Sequence, residues 1–137
     1  MPRIPSVGKC AAIIAAIAVI PIGIGAGSYV RSIRGEVQCI NHAKIIGLAC
    51  LTYAQDHGGN FPPSFDALFP TYLDNSSRSI LVSPLMPSEP VGYTYTPGLK
   101  TTSPNQLILV EDKFSPKRIH KRIVLHVDGS VEDLPVP

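Results

Sequence analysis

Four residues with ligand or acid–base chemistry gather toward the C-terminus: Asp112, His120, His126 and Asp128. Imidazole nitrogens and carboxylate oxygens are what divalent cations take as ligands, so a metal site is one reading of the group. The local pattern supports a plainer one. His126 and Asp128 stand two apart in a strand-like run, so they share one face while Leu125 and Val127 take the other. A solvated strand face accounts for that alternation equally well. No His-x-x-x-His, Cys-x-x-Cys, Gly-x-Ser-x-Gly or phosphate-binding loop occurs in the chain. We therefore expect no enzyme, no catalytic residue, no bound cofactor and no small-molecule substrate, with Asp112 and Asp128 left as weak metal candidates.

The cysteines are read the same way. Cys39 and Cys50 are eleven residues apart in a helical stretch, about three turns, which separates them by roughly 16 Å. A disulfide needs Cα atoms within about 7 Å, so the two do not pair within one chain. They read as small buried hydrophobes, with pairing between chains as the alternative. Lys113, Lys117, Arg118, His120, Lys121 and Arg122 form the one concentration of positive charge. Only Phe114 is interleaved as an aromatic, so a solvated loop is expected rather than a nucleic-acid surface. Residues 31–137 carry 10 Lys/Arg and 10 Asp/Glu, a net charge of zero that gives no polyanion a reason to bind.

The elements that position these residues fall into two halves. Between Lys9 and Arg31 there are 21 consecutive residues without formal charge. As a helix they span roughly 31 Å, the thickness of a hydrocarbon core. A transmembrane helix is expected over 10–30, kinked at Pro21, with Gly23 and Gly27 as a G-x-x-x-G pair for close helix approach. A cleavable signal peptide ending at Gly25-Ala26-Gly27 is the alternative. Basic residues flank both ends of the run, so charge alone leaves its orientation open. Beyond it, Val30, Ile33, Val37, Ile40, Ala43, Gly47 and Leu51 recur at spacings of three and four. That pattern predicts an amphipathic continuation over 31–58, ended by Gly58-Gly59-Asn60.

The second half is rich in proline: 11 of the 14 lie at or after Pro62, which excludes long helices there. A short helix is expected at Phe65–Phe69, capped by Ser64 and ended by Pro70. Ser79–Ser88 reads as a loop. Strands are expected at Gly92–Thr96 and Gln106–Glu111. A hairpin should join Arg122–Val127 to Ser130–Leu134 through the turn Asp128-Gly129. The fold class is α+β, a long N-terminal helix lying on a small antiparallel sheet. The segments are 1–9 cytoplasmic, 10–30 transmembrane, 31–58 amphipathic helix, and 59–137 the sheet domain with its loops.

Two separated stretches carry a family resemblance. Cys39-Ile-Asn41-His-Ala-Lys-Ile-Ile-Gly47-Leu-Ala49, then Tyr53-Ala-Gln-Asp-His57 and Asn60-Phe61-Pro62-Pro63, is one. Ile108-Leu-Val-Glu-Asp112 followed by Val124-Leu-His-Val-Asp128-Gly129-Ser-Val-Glu132 is the other. Together they resemble bacterial type IV pilin-like proteins, in particular the short pseudopilin-like proteins of planctomycetes and verrucomicrobia. The resemblance implies a structural subunit of a type II secretion or type IV pilus-like assembly. Such a subunit is anchored in the inner membrane by one helix, with its C-terminal domain on the periplasmic side. Its expected partners are lipid and like subunits or other pseudopilins. Some members hold Ca²⁺ in an oxygen-lined loop, which would draw on Asp112 and Asp128. The sequence departs from the family at the processing site. Gly8 is followed by Lys9-Cys10-Ala11-Ala12-Ile13, with neither the aromatic nor the glutamate that the family carries there. A membrane-tethered periplasmic binding domain that does not polymerise is the alternative.

Overall fold

The structure is a computed structural model describing the backbone of residues 8–137 and the side chains of residues 27, 30, 31 and 33–137. Helix α1 runs Gly8–Asp56, β1 is Tyr93–Tyr95, β2 Ile108–Asp112, α2 Ser115–Ile119, β3 Lys121–His126 and β4 Val131–Pro135. Two 3-10 helices, Phe65–Leu68 and Asn75–Leu81, lie between α1 and β1. The chain divides into two compact units, Met1–Ile33 and Arg34–Pro137. Among the described residues, no helix is long and apolar enough to cross a membrane. Of the expected transmembrane stretch 10–30, only Gly27 and Val30 are among the residues whose side chains are described; Gly8, Pro21 and Gly23 lie outside them. At Gly27 the space a Cβ would occupy is open.

The second unit is α+β: part of α1 and a four-stranded antiparallel sheet in the order β1-β2-β3-β4. Cys39, Ala43, Ile46, Ala49, Cys50 and Ala54 of α1 are buried. At 100° per residue, five of these (Cys39, Ala43, Ile46, Cys50 and Ala54) fall within roughly 80° of one another and form the sheet-facing side. Four of the five are small, and Ile46 is the exception. A Cβ on Gly47 would stand 2.7 Å from Leu125 Cδ1, so any larger residue there would displace the Leu125 side chain. The expected helical face holds in part: Ala43 and Gly47 are buried, and Ile40 and Leu51 pack against the core. It is corrected at Val30, Ile33 and Val37, which are exposed.

The helix ends one residue before His57. Gly58 has a φ of 63°, and the Gly59 amide donates to the Ala54 carbonyl at 2.7 Å. This is the six-residue closure of a Schellman motif, for which a left-handed glycine is the natural C′ residue. The expected cap at Ser64 is absent: its side chain makes no capping hydrogen bond, and one turn of 3-10 helix forms instead. Within the expected loop Ser79–Ser88, residues to Leu81 belong to the second 3-10 helix, capped by the Asp74 side chain accepting from the Ser76 amide.

In the sheet, β2 begins two residues later than expected, at Ile108, and reaches Asp112. A register shift between Ile108 and Val110 inserts an extra residue, and both Leu109 and Val110 are buried. The hairpin turn also differs from the expected two-residue form. Gly129 N–H donates to the His126 carbonyl at 3.0 Å, and His126 N–H donates to the Ser130 carbonyl at 2.9 Å. Of the loop residues 127–129, only Gly129 has positive φ, 85°. The connection is thus a three-residue loop closed by a left-handed glycine.

Candidate functional site

The β2–β3 ladder pairs Ile108 with His126 at one end and carries Asp112 and Ile123 at the other. The four candidate residues are divided between those ends. Asp112 lies opposite Tyr93 and is 1% exposed. Its Oδ2 accepts from Ser83 Oγ at 2.7 Å. Its Oδ1 accepts from the amides of Phe114 and Ser115, each at 2.7 Å. Ser115 Oγ in turn donates to the Asp112 carbonyl and accepts from the Ile123 amide. On the other side, Cys39 Sγ stands 3.8 Å from Ser83 Oγ. With the Ser83 proton committed to Asp112, the thiol is the donor there.

These bonds join α1, the segment after the second 3-10 helix, β2, α2 and β3 through one buried carboxylate. A buried charge persists only when its lone pairs are met, and here both oxygens have donors. The thiol beside it is not a nucleophile: burial, then the Asp112 charge, pushes Cys39 up to about 12. Burial alone does the same for Cys50. Both cysteines are free and fully buried. The Tyr93 hydroxyl is buried nearby without a hydrogen-bond partner. Its pKa is raised by burial first, then by Cys39 and Asp112.

The other end of the ladder is different. Asp128 is exposed in the turn, and its Oδ1 accepts from the Ser130 amide and hydroxyl. Those bonds hold its carboxyl below the ordinary range. His126 shares the helix-free face with Val124, as alternation requires, yet it is only 9% exposed. The expectation of a solvated face is corrected. On the same face, the Arg122 guanidinium donates twice to the Glu111 carboxylate, at 2.7 and 3.0 Å. His126 Nδ1 donates to the Gln106 carbonyl at 3.0 Å. Nε2 is buried without a hydrogen-bond partner, 3.6 Å from Glu132 Oε2. A groove of about 290 Å³ opens there, lined by Asn105, Gln106, His126, Asp128, Ser130 and Glu132.

The expected metal pair is thus separated: Asp112 and Asp128 sit at opposite ends of the ladder. Among the described residues, no three His, Cys, Asp or Glu side chains are grouped to enclose an ion. His120 lies apart from both sites, exposed at the end of α2 with φ 55°. The basic cluster is not one loop. Lys121 is held by Glu36 of α1 at 2.6 Å and Asp133 of β4 at 2.8 Å, and Arg122 by Glu111. Lys113, Lys117 and Arg118 remain exposed around α2.

The motif residues behind the resemblance have mostly packing roles. Cys39 belongs to the buried polar cluster, Gly47 admits Leu125, and Asn41 is exposed. The Tyr53 ring stacks on His57 with centroids 3.7 Å apart. Phe61 is in the core, the Pro62 carbonyl accepts from the Tyr95 hydroxyl at 2.5 Å, and Pro63 is exposed. Asp128 and Gly129 build the hairpin loop. Ser83, Gln106 and Glu132 were not legible as site residues: the first two sit in loops and act through long-range contacts that local pattern does not encode.

A second surface lies on α1. Val37, Asn41, Ile45, Leu48 and Thr52 fall within roughly 80° of one another, on the side opposite the sheet. Val37 is 51%, Ile45 46% and Leu48 68% exposed. Beside them is a shallow groove of about 280 Å³, lined by Ile45, Leu48, Ala49, Thr52, Thr71, Tyr72 and Leu73. No family model, curated protein or solved structure matches this chain.

Proposed function

We propose that the chain is a structural, pilin-like subunit anchored in a bacterial inner membrane by residues 10–30, with its sheet domain on the periplasmic side. It serves a type II secretion or type IV pilus-like assembly by packing α1 against like subunits. The observation that carries this reading is the uncovered apolar side of α1: Val37, Ile45 and Leu48 face away from the sheet with large aliphatic surface in water. Single exposed apolar residues are ordinary, whereas a row of them along a helix beside an apolar groove marks a contact surface. The uncharged run 10–30 and the two motif stretches support the same reading from the sequence.

Cysteine cross-linking of the membrane-embedded chain tests it. In a Cys10→Ser background, Ile45→Cys and Leu48→Cys should give cross-linked ladders, because the native Cys39 and Cys50 are buried. Glu89→Cys, on an exposed turn, should not. Equal cross-linking at all three positions would sink the reading.

The departure at Gly8-Lys9-Cys10-Ala11-Ala12-Ile13 favours a second reading, a membrane-tethered periplasmic binding domain that never polymerises. Mass spectrometry of the mature N-terminus separates the two. Removal of residues 1–8 with N-methylation supports assembly, an intact N-terminus supports the tether, and cleavage near Gly27 excludes an anchor of either kind.

A further inference from the structure

We propose that the groove at the turn end of the β3–β4 hairpin binds a divalent transition-metal ion of the zinc class, with His126 Nε2 and the Glu132 carboxylate as its protein ligands. Three features of the site converge on this. The first is the tautomer. Nδ1 donates its proton to the Gln106 carbonyl at 3.0 Å, so in the neutral ring the lone pair sits on Nε2. A metal-ligating histidine is oriented in this way, by a backbone carbonyl on its other nitrogen.

The second is placement. His126 is nine-tenths buried, its Nε2 is buried without a hydrogen-bond partner, and the residue lines a groove whose other lining residues are all polar. Glu132 Oε2 stands 3.6 Å away. Two ligands each about 2.0–2.2 Å from one tetrahedral ion stand roughly 3.3–3.5 Å apart. The observed separation therefore admits an ion between them with only a small shift of the exposed Glu132 side chain.

The third is charge. The two charged groups lining the groove are the carboxylates of Asp128 and Glu132, and no Lys or Arg lines it. Asp128 commits Oδ1 to Ser130, leaving Oδ2 as a further acceptor at the rim. The two carboxylates and the Nε2 lone pair offer electron pairs, which suits a cation. The imidazole narrows the class: nitrogen ligands select zinc-like ions over Ca²⁺ and Mg²⁺, which take oxygen. Two protein ligands make an open site whose remaining positions go to water or to a donor from outside the chain. The inference does not depend on whether the chain polymerises.

The test uses the untagged full chain, stripped of metal, titrated with Zn²⁺ by calorimetry while the histidine ring resonances are followed by NMR. One equivalent of Zn²⁺ should bind and move the His126 resonances, whereas Ca²⁺ at the same concentration should not. Glu132→Gln alters an exposed side chain and should weaken binding by roughly tenfold or more, and His126→Gln should abolish it. His57→Gln and His120→Gln, both at exposed positions, should bind as the parent does. The proposal is overturned if Zn²⁺ fails to bind, if Glu132→Gln binds as tightly as the parent, or if Ca²⁺ displaces Zn²⁺. Should His126→Gln fail to fold, the Glu132→Gln comparison decides.

Discussion

The two sides of α1 within Arg34–Asp56 are built from different residues and have different work to do. The sheet side carries Cys39, Ala43, Gly47, Cys50 and Ala54, small groups beside the one large residue Ile46, and Leu125 packs at Gly47. The outer side carries Val37, Ile45 and Leu48, larger and left in water. The sheet side is apolar throughout, whereas the outer side mixes these three with the polar Asn41 and Thr52. Close contact over many atoms favours small complementary surfaces, and interiors are filled at crystal-like density. The exposed Val37, Ile45 and Leu48 of the outer side are the basis of the proposed assembly reading.

Substitutions that charge each side should separate them most. Cys50→Asp places an unpaired carboxylate in the core and should cost about 3–5 kcal/mol, enough to unfold a marginal domain. Leu48→Asp should change stability by no more than about 0.5 kcal/mol. Urea denaturation of both variants measures the difference. Similar losses would mean that the outer side is a second core rather than a contact surface.

A smaller effect probes the polar cluster under the sheet side. Asp112→Ala leaves the Ser83 hydroxyl and the Phe114 and Ser115 amides without their acceptor. The expected loss is roughly 3 kcal/mol, at about 1 kcal/mol or more for each orphaned donor. A loss under about 1 kcal/mol would show that the cluster positions little. Glu132→Gln, at the open end of the same ladder, should leave the denaturation midpoint nearly unchanged.

Thiol chemistry sharpens the comparison without altering stability. With Cys39 and Cys50 held up to about 12 by burial, neither should react with a maleimide at pH 8 until the domain unfolds, because the thiolate is the reactive form. Thr52→Cys, on the exposed side of α1, should react at once. Rapid labelling of Cys39 in the folded protein would contradict the packing described here.

The smallest expected effect is a pH dependence on the flank between the two sides. Burial lowers the His42 imidazole below its ordinary 6.5, against the opposing pull of the Val82 and Ile80 backbone and Asp112. Below the ordinary value the unfolded chain binds a proton that the folded one resists, so stability rises with pH across that window. The contribution is intact above about pH 6.5 and is lost as the pH falls. Denaturation midpoints from pH 7 to 5 should decline, and His42→Gln should flatten the decline. A parallel decline in both proteins would assign the effect elsewhere.

Much of this architecture is legible in the residues. The α+β class, the helix stop at Gly58-Gly59, the hairpin around Gly129 and the two lone cysteines all follow from local pattern. What local pattern misses has a common physical cause: it depends on partners far along the chain. Gly47 is matched to Leu125 of β3, and His126 is held by the Gln106 carbonyl, 20 residues away. Asp112 reads as a metal candidate because its acid is visible and its donors are not. Ser83 is 29 residues away in a stretch of serines and prolines without periodicity. The second 3-10 helix is hidden for a similar reason, since Asn75-Ser-Ser-Arg-Ser79 has turn composition and only the helix's last residues, Ile80 and Leu81, are buried.

The central claim is that the outer side of α1 holds subunits together, and the mass of the detergent-solubilised full chain tests it most directly. Sedimentation should show the parent as a concentration-dependent oligomer and Ile45→Glu/Leu48→Glu as a monomer with an unchanged urea midpoint. A parent that stays monomeric at every concentration, or a double variant that associates like the parent, would contradict the account.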